Sequence, residues 1–183
     1  LVGFERMIKM NLTKLFEMQR ELDAKILLQK GLVGHDLLDE KILALQVELG
    51  ELANEWRGFK FWSEDQEPRT EISYAICNKC GGTGTPIGIP DYAGVDCWEC
   101  KGSGELVKNP LLEEYVDCLH FILSIGLELE IRAKEVEDCL LGRKANNITN
   151  QFLDIHAAIN EVWLDEDRFE YCVLMDEFVA LGD

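Results

Sequence analysis

The chain of 183 residues is poor in positive charge, with 18 Lys and Arg against 35 Asp and Glu and a formal net charge of −17. A surface of that sign repels phosphate backbones and anionic headgroups, which disfavours passive binding to DNA, RNA or an acidic membrane. Long apolar runs are missing too. None approaches the roughly 20 residues of a spanning helix, and Leu1–Asn11 carries no signal-peptide apolar core. The expectation is a soluble, cytoplasmic chain that is not exported. Proline is scarce, at four residues, so little interrupts helix formation outside one segment. Seven cysteines are an odd number, and without a leader they point to a reducing compartment rather than a disulfide framework.

Helical periodicity dominates what is present. Leu12, Leu15, Phe16, Met18, Leu22, Ile26 and Leu27 recur at helical spacing. Asp36 reads as an N-cap, with Asp39 in the first turn. A stripe of Leu38, Ile42, Leu45, Leu49, Leu52, Trp56 and Phe59 follows and fades near Trp62 and Ser63. Asn109-Pro110 opens another helix, with Asn as cap and Pro at the first helical position. A short acidic helical stretch (128–140) and two amphipathic segments (148–163 and 167–181) complete the pattern. The fold class expected is all-α, a helical bundle.

Residues 64–108 differ in character, with dense glycine, three of the four prolines and four paired cysteines. They read as a small module inserted into a helical domain made of 1–63 and 109–183. Cys77-x-x-Cys80 and Cys97-x-x-Cys100 have the spacing of a tetrahedral thiolate zinc site. Four Cys ligands close the coordination shell, so the expected role of Zn²⁺ is structural. Cys118, Cys139 and Cys172 stand singly and read as small buried apolar residues.

The strongest chemical signal is carboxylate. Glu48-x-x-Glu51 lies on the second helix, with Glu55 a turn further on, and Glu114-x-x-Asp117 lies on the third. Residues three apart share a helix face, so each pair presents two carboxylates to a common point. Two like charges 4 Å apart repel by about 4 kcal/mol at an effective dielectric near 20. A divalent cation reverses that sign, and hard oxygen ligands suit Mg²⁺ or Mn²⁺ with substrate phosphates.

The runs VELGELANEWRGFKFWS (47–63) and LLEEYVDCLHFILSIGLEL (111–129), with LFEMQRELD (15–23) as a leading motif, resemble the dimeric all-α dUTPases of the MazG-like pyrophosphohydrolase superfamily. The resemblance spans 12–63 and 109–182. It implies a homodimer that hydrolyses dUTP, and dUDP as well, to dUMP with release of pyrophosphate or phosphate. Glu48, Glu51, Glu114 and Asp117 would hold Mg²⁺, with Glu48 as the base and Glu55 beside the ligands. Gln19 would meet the uracil edge, and Asn54, Lys60, Trp62, His120 and Phe121 would line the nucleotide pocket. His120, three residues after Asp117, is also placed to hydrogen-bond a ligand carboxylate.

Two features depart from that pattern. Asp23 stands where the family commonly has asparagine. The family also carries a basic, asparagine-rich tail beyond its last helix; Arg143-Lys144-Ala-Asn146-Asn147 has similar chemistry but comes two helices too early to take that role. CNKCGGTG (77–84) and CWECKGSG (97–104) both read C-x-x-C-x-G-x-G and resemble the half-motifs of the DnaJ-type cysteine-rich region. The alternatives to a dUTPase are a MazG-like enzyme for another (d)NTP and a non-enzymatic helical interaction protein built around the zinc knuckle.

Overall fold

The structure is a computed structural model and describes residues 11–86, 95–142 and 144–182. Its helices are α1 (Leu12–Lys30), α2 (Leu38–Trp56), α3 (Pro110–Glu128), α4 (Ala133–Glu137), α5 (Ile148–Asp165) and α6 (Arg168–Leu181), with strands β1 (Ile72–Ile76) and β2 (Glu105–Lys108) between α2 and α3. The chain divides into two compact units. One takes the described parts of Leu1–Asn54 and Glu114–Asp183, the other Glu55–Glu113. The protein is all-α apart from the small two-stranded insertion. Residues 1–10, read above for a leader, and Arg143 lie outside the described residues.

The helical unit follows its apolar spacing. Leu12 and Phe16 from α1, Leu38, Ile42, Leu45, Leu49 and Leu52 from α2, and Cys118, Ile122 and Ile125 from α3 are buried. From the last two long helices, Ile155, Ile159, Val162, Tyr171, Leu174 and Phe178 join them. Starts are fixed by local hydrogen bonds. Asn109 Oδ1 accepts from the Leu112 amide at 2.9 Å, Asn147 Oδ1 from Asn150 at 2.8 Å and Asp167 Oδ1 from Glu170 at 2.9 Å. These side chains satisfy amides that the first helical turn leaves without partners. Asp36 Oδ1 accepts from the Leu38 amide at 3.2 Å, ahead of a first turn that contains Asp39 and Glu40.

Three expectations need correction. The α2 helix ends at Trp56, six residues before Trp62. Arg57 turns left-handed (φ 66°), and its guanidinium donates to the Asp65 carbonyl through Nε at 3.2 Å and Nη2 at 2.8 Å. Trp56 and Phe59 are consequently half-buried, stacked with ring centroids 6.4 Å apart, rather than members of the deep core. The acidic stretch 128–140 is helical only over Ala133–Glu137 beyond the end of α3.

Cys139 and Cys172 do not stand singly; they form a disulfide, with Cα atoms 6.1 Å apart. The Asp176 carboxylate clasps the same loop, because Oδ1 accepts from the amides of Leu141 and Gly142, both at 2.7 Å. Cys118 matches the reading made of it, a free and fully buried cysteine.

In the second unit β1 and β2 pair antiparallel, with Ile72 opposite Lys108, Ser73 opposite Val107 and Ile76 opposite Glu105; the register shifts between Ser73 and Ala75. Leu106 of β2 packs against the four buried cysteines, which form the centre of this unit.

Candidate functional site

Two groups of side chains have the make-up of metal ligands. In the helical unit, single carboxylate oxygens of Glu48, Glu51 and Glu114 lie within 4.8 Å of one another. Helix spacing explains this: Glu48 and Glu51 share a face of α2, and Glu114 meets them from α3. Octahedral Mg²⁺ with oxygens at about 2.1 Å sets neighbouring ligands about 3 Å and opposed ligands about 4.2 Å apart, so the separations suit such an ion. Burial, followed by the charges of Glu51 and Asp117, raises the Glu48 carboxyl above its usual range. Asp117 is therefore close enough to act electrostatically, although it stands outside the three-carboxylate group. Among the described residues no basic side chain forms an ion pair with Glu48 or Glu51. A cation supplies the opposite charge that such a cluster favours.

Two of the pocket residues named from sequence are joined directly. His120 Nδ1 lies 2.6 Å from Gln19 Oε1, which ties α3 to α1. Gln19 Nε2 donates to Asp23 Oδ1 at 2.7 Å, and Ser124 Oγ donates to Asp23 Oδ2 at 2.7 Å. The hydrogen bond His120 makes is thus to Gln19, where the sequence spacing had pointed to a ligand carboxylate. Gln19 and Ser124 are each only 5% exposed, whereas His120 is exposed. Ser124 was missed by sequence reasoning; its spacing of four from His120 was the available signal. Asn54 is exposed and Phe121 half-buried in the same unit. A cavity of about 440 Å³ opens beside Asp23, lined by Arg20, Lys41, Glu128 and Arg132 among others.

Lys60 and Trp62 belong to the other unit. Lys60 Nζ lies 5.7 Å from the centroid of the Phe59 ring. Trp62 is 66% exposed and meets Phe59 and Phe61 edge-on at 5.8 and 5.0 Å. Glu55 is also in this unit, where Oε1 pairs with Arg69 Nη1 at 3.3 Å and Oε2 is buried without a hydrogen-bond partner.

The second ligand group is sulfur. Cys77 Sγ and Cys97 Sγ are 3.9 Å apart, Cys80 Sγ and Cys100 Sγ 3.7 Å, and all four lie within 4.8 Å. A Zn–S bond of about 2.3 Å gives a tetrahedral edge of about 3.8 Å, so the four-cysteine cluster could hold zinc.

The two loops around it repeat each other's hydrogen bonds. The Cys77 amide donates to the Gly104 carbonyl at 2.9 Å, and the Cys97 amide to the Gly84 carbonyl at 2.7 Å. Thr83 Oγ1 donates to the Cys80 carbonyl and Ser103 Oγ to the Cys100 carbonyl, both at 2.8 Å. Gly84 and Gly104 have φ of +75° and +81°, and a Cβ there would stand 2.2 Å from the Gly102 oxygen and 2.4 Å from the Gly82 oxygen. Glycine at these positions is thus required twice over, for the left-handed turn and for the close approach. In the metal-free cluster burial pushes the Cys77 thiol up to about 11. Burial raises Cys80 as well, but the Gly84 and Gly82 amides and the neighbouring thiols outweigh it and bring that group to about 7.

A helical unit that brings the carboxylates of Glu48, Glu51 and Glu114 to one point could hold a metal ion there. The dUTPase family model matches residues 11–74 and 96–183. The chain belongs to the dUTPase family, and 75–95, with Cys77 and Cys80, falls in the gap of that match. No curated protein and no solved structure matches the chain. Among the described residues no helix is long and apolar enough to cross a membrane.

Proposed function

We propose that the protein is a Mg²⁺-dependent nucleoside triphosphate pyrophosphohydrolase that converts dUTP and water to dUMP and pyrophosphate, and dUDP to dUMP and phosphate. Family membership over 11–74 and 96–183 supports the reaction class. The observation that carries the site is the convergence of Glu48, Glu51 and Glu114 oxygens within 4.8 Å. With Asp117 these residues would hold Mg²⁺, or Mn²⁺ in its place. The ion, when bound, supplies positive charge to the phosphate oxygens and makes water more acidic. Glu48 takes the proton of the attacking water, and the bond between the α- and β-phosphoryl groups breaks. Gln19 and His120 would face the base, with Asn54 and Phe121 of the same unit as further nucleotide contacts.

The four cysteines hold a structural Zn²⁺ in paired half-motifs of the DnaJ type, which stabilises a unit too small to bury a core of its own. A homodimer is supported by the apolar side chains left uncovered on α1 and α2, where Met18 is 56%, Ile26 43%, Leu43 62% and Val47 52% exposed.

The test is pyrophosphate release with Mg²⁺ across a panel of deoxynucleotides. Preferential turnover of dUTP is expected. Preference for dCTP or a purine would instead make the chain a MazG-like enzyme for another nucleotide, and no release from any nucleotide would leave a non-enzymatic helical interaction protein.

A further inference from the structure

Asp23 has both carboxylate oxygens engaged within the protein. Oδ1 accepts from Gln19 Nε2 and Oδ2 from Ser124 Oγ, each at 2.7 Å. A carboxylate only accepts, so the Gln19 amide must turn its NH₂ group toward Asp23 and its oxygen toward His120. That oxygen also only accepts, so the imidazole nitrogen 2.6 Å away, His120 Nδ1, must carry the hydrogen. In the neutral ring the other nitrogen, Nε2, is then left with a lone pair. The three bonds are thus one chain of directions, from a half-buried carboxylate through a 95%-buried amide to an exposed imidazole.

We infer that Asp23 is a positioning residue that, through Gln19, holds His120 as the Nδ1–H tautomer and so presents Nε2 as a hydrogen-bond acceptor to the base. The inference deepens the dUTP reading and rests on it for the ligand. An acceptor at this point matches a pyrimidine whose ring N3 carries a hydrogen, as in the imide of uracil. It opposes a cytosine, whose N3 is itself an acceptor. A site that hydrogen-bonds one such group discriminates against a base that leaves that bond unmade. The Asp23 carboxylate would therefore act on base choice without touching the base.

The experiment is long-range ¹H–¹⁵N correlation of the imidazole rings in the intact zinc-loaded protein. There are three histidines, and His120→Gln assigns the resonance. The wild type should show Nδ1 protonated and Nε2 bare. Asp23→Ala and Gln19→Ala should move His120 toward the Nε2–H form, and Ser124→Ala, the mildest change, should move it less. The same variants should raise KM for dUTP more than they lower kcat, and should reduce the dUTP-over-dCTP ratio of kcat/KM by about tenfold, the scale of one lost hydrogen bond. A wild-type ring protonated at Nε2, or folded variants with an unmoved tautomer, would overturn the positioning role. An unchanged dUTP-over-dCTP ratio would overturn the link to base choice. A wild type with the Nδ1–H ring that turns over no nucleotide would instead overturn the functional reading, and leave the assignment of Asp23 standing.

Discussion

Replacing Gly84 with alanine should weaken zinc binding by about 100-fold, and the structure separates the two causes. Gly84 has φ +75°, and an added Cβ would lie 2.2 Å from the Gly102 carbonyl oxygen, 0.8 Å inside the 3.0 Å closest approach. The left-handed conformation costs an alanine roughly 1–2 kcal/mol. The overlap is with backbone rather than with a yielding side chain, and forcing such a contact costs about 1–3 kcal/mol more. About 3 kcal/mol in total corresponds to roughly 100-fold in affinity, because metal binding and folding are one equilibrium in so small a unit. Gly31→Ala is the control: φ is +69° there, but no atom lies within 4 Å of the added Cβ. It should cost only the conformational part, read as thermal stability of the helical unit, with zinc affinity unaltered. Competition against a chromophoric zinc chelator measures the effect. A Gly84→Ala protein with wild-type zinc affinity would refute the steric argument, and Gly104→Ala, facing the Gly82 oxygen at 2.4 Å, should fail in the same way.

Further outcomes follow from the helical unit. Glu51→Gln and Asp117→Asn should each lower dUTP turnover by about 10³-fold, since several kcal/mol of charge stabilisation is lost, while far-UV circular dichroism stays that of the wild type. In Mg²⁺-free, zinc-loaded protein, Glu48 is raised by burial and by Glu51 and Asp117. The folded state therefore holds this proton more tightly than the unfolded chain, and the contribution to stability fades as pH rises from about 4.5 through the raised value. Glu48→Gln should flatten that part of a melting-temperature profile taken between acid and neutral pH, and identical slopes would count against the cluster. Brief EDTA treatment should stop catalysis while the four-thiolate site keeps its zinc, checked by elemental analysis. Reducing the Cys139–Cys172 link, which spans 33 residues, should cost at most about 4 kcal/mol on the loop-entropy scale, seen as a lower melting temperature with zinc held in excess.

What could be read from sequence was local. Asn109-Pro110 marked a helix start because both signals act within one turn, and Pro110 is the first helical residue. The i, i+3 spacing of Glu48 and Glu51 placed two carboxylates together, and Glu114 joins them because the apolar stripes beside them bury against a shared core. Features made across long sequence separations left no local trace. His120 and Gln19 are 101 residues apart. Cys139 and Cys172 looked like isolated apolar residues because neither has a spacing that reveals its partner. The β1–β2 hairpin is five and four residues long and exists through pairing between strands whose own periodicity is too short to read. The end of α2 at Trp56 was hidden for a different reason: the apolar rhythm continues through Phe59, although the backbone turns left-handed at Arg57, whose guanidinium holds the Asp65 carbonyl.

The reciprocal clasp of the cysteine loops has a consequence during synthesis. The Cys77 loop is closed by Gly104 and the Cys97 loop by Gly84, so neither half is complete until both have left the ribosome. Seventeen positions separate Cys80 from Cys97, which at about 5–20 residues per second leaves the first two thiols without their partners for roughly 1–3 s. During that interval they are open to oxidants and stray copper. Nascent chains arrested before Cys97 should react with an alkylating reagent at Cys77 and Cys80, and those arrested well beyond Gly104 should resist it.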